Sequence, residues 1–275
     1  MSRGTRLCWP VAALFFLPGC AMLISEARPD TAAPPTLVKG LVLAVDGAGG
    51  FQVCSRTIRE TAAKEKMPLE VRNFRWTHGY CRVLSDQMHA AHLQRAGRTL
   101  SDLVQTCRQQ SPELPIFLIG HSAGCGVVLA AAENLPAGTL ERIVLLAPAV
   151  SAKHDLRPAL ASACRGIDVF YSGHDWACLG LGTLLAGTTD RCWTRAAAGK
   201  VGFQPICNSP EDEALYAKLR QYPWDPSLTW AGHRGGHYGA HQPRFLRAFV
   251  LPLLAPQQSA VSDQQSASTS PIADR

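Results

Sequence analysis

The sequence predicts an α/β fold: a mostly parallel central sheet with helices on both faces. Three observations predict it. Apolar runs of strand length alternate with amphipathic stretches of helix length through the middle of the chain. Several of these runs are apolar at every position rather than at every second one, which marks strands covered on both faces. The strand ends carry turn residues, and Gly120-His121-Ser122-Ala123-Gly124 sits directly between a strand-like run and a helical one.

In chain order, residues 41–45 (Leu-Val-Leu-Ala-Val) form a first buried strand, stopped by Asp46-Gly47-Ala48-Gly49-Gly50. Residues 53–66 have a helical pattern. Residues 69–76 alternate in part and predict a second strand, with Trp76-Thr77-His78 as an aromatic plug at its end rather than a pocket wall. Residues 85–111 predict one long amphipathic helix, with Ser85 as N-cap and its end before Pro112. Residues 115–119 give a third strand, 123–135 a helix of small residues, and 143–146 and 167–171 two further strands. A short last strand is expected at 228–230, then a closing helix at 243–254 with Pro243 in its first turn. In such sheets functional groups gather beyond the carboxyl ends of the strands. Attention therefore falls on the segments after Val45, Trp76, Ile119, Leu146, Tyr171 and Trp230.

The 275 residues are enough for one domain with tails. At 47% apolar and 17% charged, the composition excludes a disordered chain. The net charge is +6, but the charges are scattered, without a basic run, which argues against a nucleic-acid partner. Both ends lie outside the expected fold. Arg3 and Arg6 precede a short apolar stretch at 7–17, as in a signal peptide. Leu17-Pro18-Gly19-Cys20 then resembles a bacterial lipobox, which implies a signal at 1–19 and lipidation of Cys20. Residues 20–36, rich in Ala and Pro, are expected as a tether, 37–255 as the domain and 256–275 as a disordered tail. The expected location is the bacterial cell envelope, lipid-anchored on the periplasmic or outer-membrane side, or otherwise secreted. Of ten cysteines, eight remain beyond Cys20, an even number that favours disulfides in an exported chain. At least two are expected, including Cys178, Cys192 or Cys207, with Cys125 the best candidate for a buried thiol.

The pentapeptide at 120–124 is a G-x-S-x-G sequence in the context that gives it meaning, a strand before and a helix after. A sharp turn there presents the Ser122 hydroxyl, and the flanking residues must be small because the two backbones nearly touch. A serine nucleophile needs a base, and the base an orienting acid. Asp175 follows the fifth strand, with Asp190 and Asp225 as fallbacks. The histidines come later, in Gly232-His233-Arg234-Gly235-Gly236-His237-Tyr238-Gly239-Ala240-His241. His237 is preferred, amid glycines in mid-loop, and His241 and His233 stay open. Backbone N–H groups of Ala123 and of Ala48 or Gly49 could hold an oxyanion. His89 and His92 lie three apart on one helix, but without a further ligand they read as a solvated face, so no metal is expected. No nucleotide-binding glycine loop follows a strand, so no cofactor is expected.

Over residues 38–254 these pieces resemble the α/β-hydrolase fold family. The resemblance implies nucleophile Ser122, acid Asp175, base His237, and oxyanion amides from Ala48 and Ala123. The first loop reads Asp46-Gly47 where many members have His-Gly. The long stretch between Asp175 and His237 would be a small cap-like insertion. The resemblance implies a serine hydrolase of a small-molecule or lipid ester or thioester, working through an acyl-enzyme. The alternatives are an acyltransferase with the same triad and a catalytically dead hydrolase fold serving as an envelope binding lipoprotein.

Overall fold

The computed structural model describes residues 37–175, 188–190 and 196–255. Among these, six parallel strands form one sheet in the order β2-β1-β3-β4-β5-β6. The strands are β1 Gly40–Val45, β2 Leu69–Asn73, β3 Ile116–His121, β4 Arg142–Leu146, β5 Ile167–Tyr171 and β6 Leu219–Pro223. The helices are α1 Val53–Lys64, α2 Val83–Met88, α3 Ala90–Gln110, α4 Gly124–Ala132, α5 Arg157–Ser162, α6 Ala198–Val201 and α7 Pro210–Tyr216. The chain runs from β1 outward to β2 and then crosses back to β3 on the other side. The carboxyl ends of β1 and β3 therefore flank the point where strand order reverses, the usual ligand crevice of such sheets.

Every residue of β1, β3 and β4 is buried, as the continuous apolar runs predict. Successive side chains enter opposite cores. Leu41, Leu43, Ile116 and Leu118 pack with α3 and α4, whereas Val42, Ala44, Phe117 and Ile119 pack with α1 and the C-terminal helical run. The fold class read from the sequence is the one observed.

Several element boundaries differ. The long helix expected over 85–111 is two helices, broken at His89 (φ −91°, ψ 73°), and Ser85 lies inside α2 rather than capping it. Residues 228–230 are not a strand. They belong to a 3-10 helix, Pro226–Ala231, capped by Asp225, whose carboxylate accepts from Ser227 N–H at 2.8 Å. The sixth strand comes earlier, inside the stretch expected as a cap-like insertion. Leu219-Arg-Gln-Tyr-Pro is a half-polar edge strand, and sequence pattern alone gave it no apolar run. Of that insertion, residues 176–187 and 191–195 lie outside the described residues, with Cys178 and Cys192. The closing helix is mixed: an α turn at Pro243–Phe245, a π segment at Leu246–Val250 and a 3-10 turn at Leu251–Leu254. Pro252 has no N–H to continue an α ladder.

The disulfide expectation is overturned. Cys54, Cys81, Cys107, Cys125, Cys164 and Cys207 are all free, which leaves no two pairs among the eight. Cys54, Cys107 and Cys125 are instead buried as small apolar side chains in the two cores. The segments expected as signal peptide, tether and C-terminal tail, with Cys20, lie outside the described residues. No helix among the described residues is long and apolar enough to cross a membrane.

Candidate active site

The turn from β3 into α4 is tight for a reason visible atom by atom. A Cβ on Gly120 would lie 2.7 Å from the Cys125 Cα, and one on Gly124 would overlap the carbonyl oxygens of Val45 and Asp46. Between them Ser122 is held at φ 54°, a left-handed conformation that costs a non-glycine residue about 1–3 kcal/mol. Backbone bonds hold it there. Ser122 N–H donates to Leu146 O at 2.9 Å, and Ser122 O accepts from Cys125 and Ala149 N–H, both at 3.1 Å. Ser122 opens onto a cavity of about 450 Å³ at the sheet's carboxyl edge, which His237 also lines.

The structure brings Asp175 and His237 together across 62 residues. His237 Nδ1 lies 2.5 Å from Asp175 Oδ2, and both side chains are almost fully buried. A neutral imidazole that donates from Nδ1 keeps its Nε2 lone pair for another proton. The other two histidines are placed differently. His233 Nδ1 accepts from Gly235 N–H at 3.1 Å, and burial lowers its pKa to about 4. His241 has no hydrogen bond on either ring nitrogen; burial, with His237 and His233 nearby, lowers its pKa to about 4. The fallback acids are also placed elsewhere. Asp190 pairs with His154, and Asp225 caps its 3-10 helix.

The first glycine loop is fixed by two carboxylates. Asp46 Oδ1 accepts from Cys54 and Ser55 N–H at 2.7 and 3.2 Å, capping α1, whose own N-cap residue Gln52 makes no side-chain bond. Trp76, buried as a plug, donates from its indole to Asp46 O at 2.8 Å. Asp86, on α2, accepts from Gly49 N–H at 2.8 Å. This corrects one expectation: the Gly49 N–H already has a partner, and the candidate oxyanion donors that remain are Ala48 and Ala123. Gly47 brings the loop against the turn that carries Ser122, its Cβ position lying 3.1 Å from Ser122 Cβ.

Two residues at this site escaped the sequence reading. Asp86 also takes His78 N–H and ring Nδ1, each at 2.8 Å. Nothing in the sequence marks this aspartate as buried. His121, inside the pentapeptide, places Nε2 3.2 Å from His237 O and stacks on His241. Burial, with His237 and His241 beside it, holds its pKa well below the ordinary value. His89 and His92 do not face solvent as a bare pair. His89 Nδ1 meets His78 Nε2 at 3.2 Å, and His92 bonds Trp76 O. Among the described residues no group of three or more metal-ligating side chains is placed to hold an ion.

Comparison with curated proteins gives no match. Among solved structures the chain is similar to esterase PE8, at 16% identity over 80% of this chain and 97% of that one, with a TM-score of 0.47. It is also similar to a hydrolase of the alpha/beta superfamily from Xanthomonas campestris pv. campestris, at 17% identity over 78% and 98%, TM-score 0.44. A cutinase-like protein from Cryptococcus sp. aligns at 13% identity over 82% and 100%, TM-score 0.42. The family model described as serine aminopeptidase, S33 (Hydrolase_4) matches residues 77–230, more than half of the chain, including Ser122 and Asp175. With its strand–elbow–helix turn and its parallel sheet, the chain has the α/β-hydrolase fold and belongs to this S33 hydrolase family.

Proposed function

We propose that the protein is a serine hydrolase that cleaves a carboxylic ester or thioester through Ser122, His237 and Asp175. The observation that carries this reading is the buried 2.5 Å contact between His237 Nδ1 and Asp175 Oδ2 beside the cavity that Ser122 lines. In the proposed reaction Ser122 Oγ attacks the carbonyl carbon while its proton passes to His237 Nε2. Asp175 stabilises the resulting imidazolium. The tetrahedral oxyanion lies against the Ala48 and Ala123 N–H groups, the second of which heads α4 with its positive dipole end. Collapse expels the alcohol or thiol, protonated by His237, and leaves an acyl-Ser122 ester. Water activated by the same histidine then releases the acid.

Ester is favoured over peptide by the cavity walls. Phe51, Val53, Val83 and Leu84 surround Ser122 with apolar surface, and Asp46, the one carboxylate among the lining residues, is buried, with Oδ1 capping α1 and Oδ2 shielded from solvent without a hydrogen bond. An aminoacyl substrate would bring an ammonium group into these surroundings, at a desolvation cost. Fluorophosphonate labelling of wild type and Ser122→Ala tests the reading. Wild type should label and hydrolyse short acyl esters faster than aminoacyl anilides. The variant should fold and do neither. Full activity in Ser122→Ala would overturn the assignment.

We further propose that the folded unit 37–255 is exported and tethered to the bacterial envelope by lipid on Cys20, on the strength of Arg3 and Arg6, the short apolar stretch after them and Gly19-Cys20. Intact mass of membrane-extracted protein should give a diacylglyceryl adduct on a chain beginning at Cys20. A mature chain beginning elsewhere without lipid would refute it.

A further inference from the structure

Helix α2 is built inside out. Its one buried residue is the carboxylate Asp86, 1% exposed, while its apolar residues Val83, Leu84 and Met88 are exposed, Leu84 at 68%. A buried charge and exposed large apolar side chains on one short helix reverse the usual sorting, and that reversal is informative where scattered exposed leucines are not. The inversion is held in place, because Asp86 accepts from Gly49 and His78. Further apolar surface adjoins it. Phe51 and Tyr238, both exposed, line the same cavity mouth as Val83 and Leu84, and Tyr80, 76% exposed, meets the Phe51 ring edge-on at 5.3 Å. The remaining charges nearby have one sign. From Phe74 to His92 the fixed charges are Arg75 and Arg82, both exposed, and the buried Asp86.

We propose that this rim is a docking face for a lipid surface with anionic headgroups, with the apolar side chains entering the interface and Arg75 and Arg82 meeting phosphates. The face surrounds the mouth of the cavity that Ser122 lines, so a docked molecule would receive an ester from the lipid phase without its crossing water. That last step rests on the hydrolase reading; the docking does not. The sign of the charge selects an acidic lipid surface over a neutral one, and the apolar ring selects a surface with an accessible hydrocarbon layer over a soluble anionic partner.

Backbone hydrogen exchange on the full chain carrying Cys20→Ser, with no lipid of its own, tests docking apart from catalysis. Mixed phosphatidylcholine–phosphatidylglycerol vesicles should slow exchange in residues 79–89 several-fold. Pure phosphatidylcholine should slow it less, and added salt should weaken the effect. The double variant Tyr80→Ser/Arg82→Gln should lose the protection while keeping its thermal midpoint. Unchanged exchange at 79–89 with mixed vesicles would overturn the proposal, as would protection indifferent to the double variant. Protection that rises with protein concentration in the absence of vesicles would assign the face to a second copy of the chain and likewise overturn it. Because binding is read, Ser122→Ala should dock like wild type, so a failed hydrolase assignment and a failed docking face give different results.

Discussion

His121 stands one residue before the proposed nucleophile, and its Nε2 meets the His237 carbonyl oxygen. A carbonyl only accepts, so the ring carries its proton on Nε2 and ties the backbone of the proposed base to the elbow. Replacing it with Leu should lower kcat on a short ester by about 10- to 100-fold with little change in KM, since small misplacements of a base are costly. His121→Gln, which keeps a donor, should recover part of the loss. An unchanged kcat in His121→Leu would show that the strap does not position the base. Among the later histidines, His237→Ala should lose at least about a thousandfold in kcat, and His233→Ala and His241→Ala far less. Steady-state kinetics of the three variants decides between them. At this scale legibility depends on distance along the chain. Ser122 is readable because its constraints lie within two residues of it. The preference for His237 rests on its place in mid-loop and its glycines alone, because its pairing with Asp175 spans the sheet. Asp86 and His121 carry no local signature of what they touch.

Elements were legible where both faces meet apolar cover, and obscured where an element faces the cavity mouth. β1, β3, β4 and β5 read directly as strands. The stretch 85–111 has a helical period throughout, yet it divides at His89 because Asp86 turns inward to the glycine loop while α3 packs its apolar face on α4. β6 was missed because an edge strand needs no continuous apolar run. Asp86 thus joins α2 to the loop after β1. Asp86→Ala would leave the Gly49 and His78 N–H groups without their acceptor and should cost about 3 kcal/mol. For a domain of this size that corresponds to a thermal midpoint lower by roughly 6–12 °C. Calorimetry checks the stability, and probe labelling checks whether the loop still supports the reaction. A midpoint within a degree or two of wild type would show that α2 does not hold the loop.

For the molecule as a whole, histidines set limits on both sides of neutral pH. His154 lies between Asp190 and Glu133. Burial opposes its charge, but hydrogen bonds to the two carboxylates prevail and raise its pKa to about 9. A value raised on folding gives stability that is complete below the unfolded value, about 6.5, and is lost as pH rises through about 9. His233 and His241 shift the other way, to about 4, and His121 shifts in the same direction. Unfolding lets those rings take up protons, so stability should fall as pH drops from about 6.5 toward 4. Urea midpoints should therefore peak near pH 6.5–7, with His154→Gln flattening the alkaline limb and His241→Phe the acid limb. A midpoint independent of pH over this span would contradict these shifts. Topology has a consequence of another kind, in time. Ser122, Asp175 and His237 each follow a different strand, and the hydrogen bond between the last two closes a loop of 62 residues. Such distant contacts form late in folding. A partly folded chain in which only β1 through β5 have formed holds a serine at a bend without the His237–Asp175 pair that would deprotonate it. During refolding, probe labelling should consequently lag behind tryptophan fluorescence and appear only as β6 and the loop after it settle. The protein would then be inert in every partly folded form it passes through.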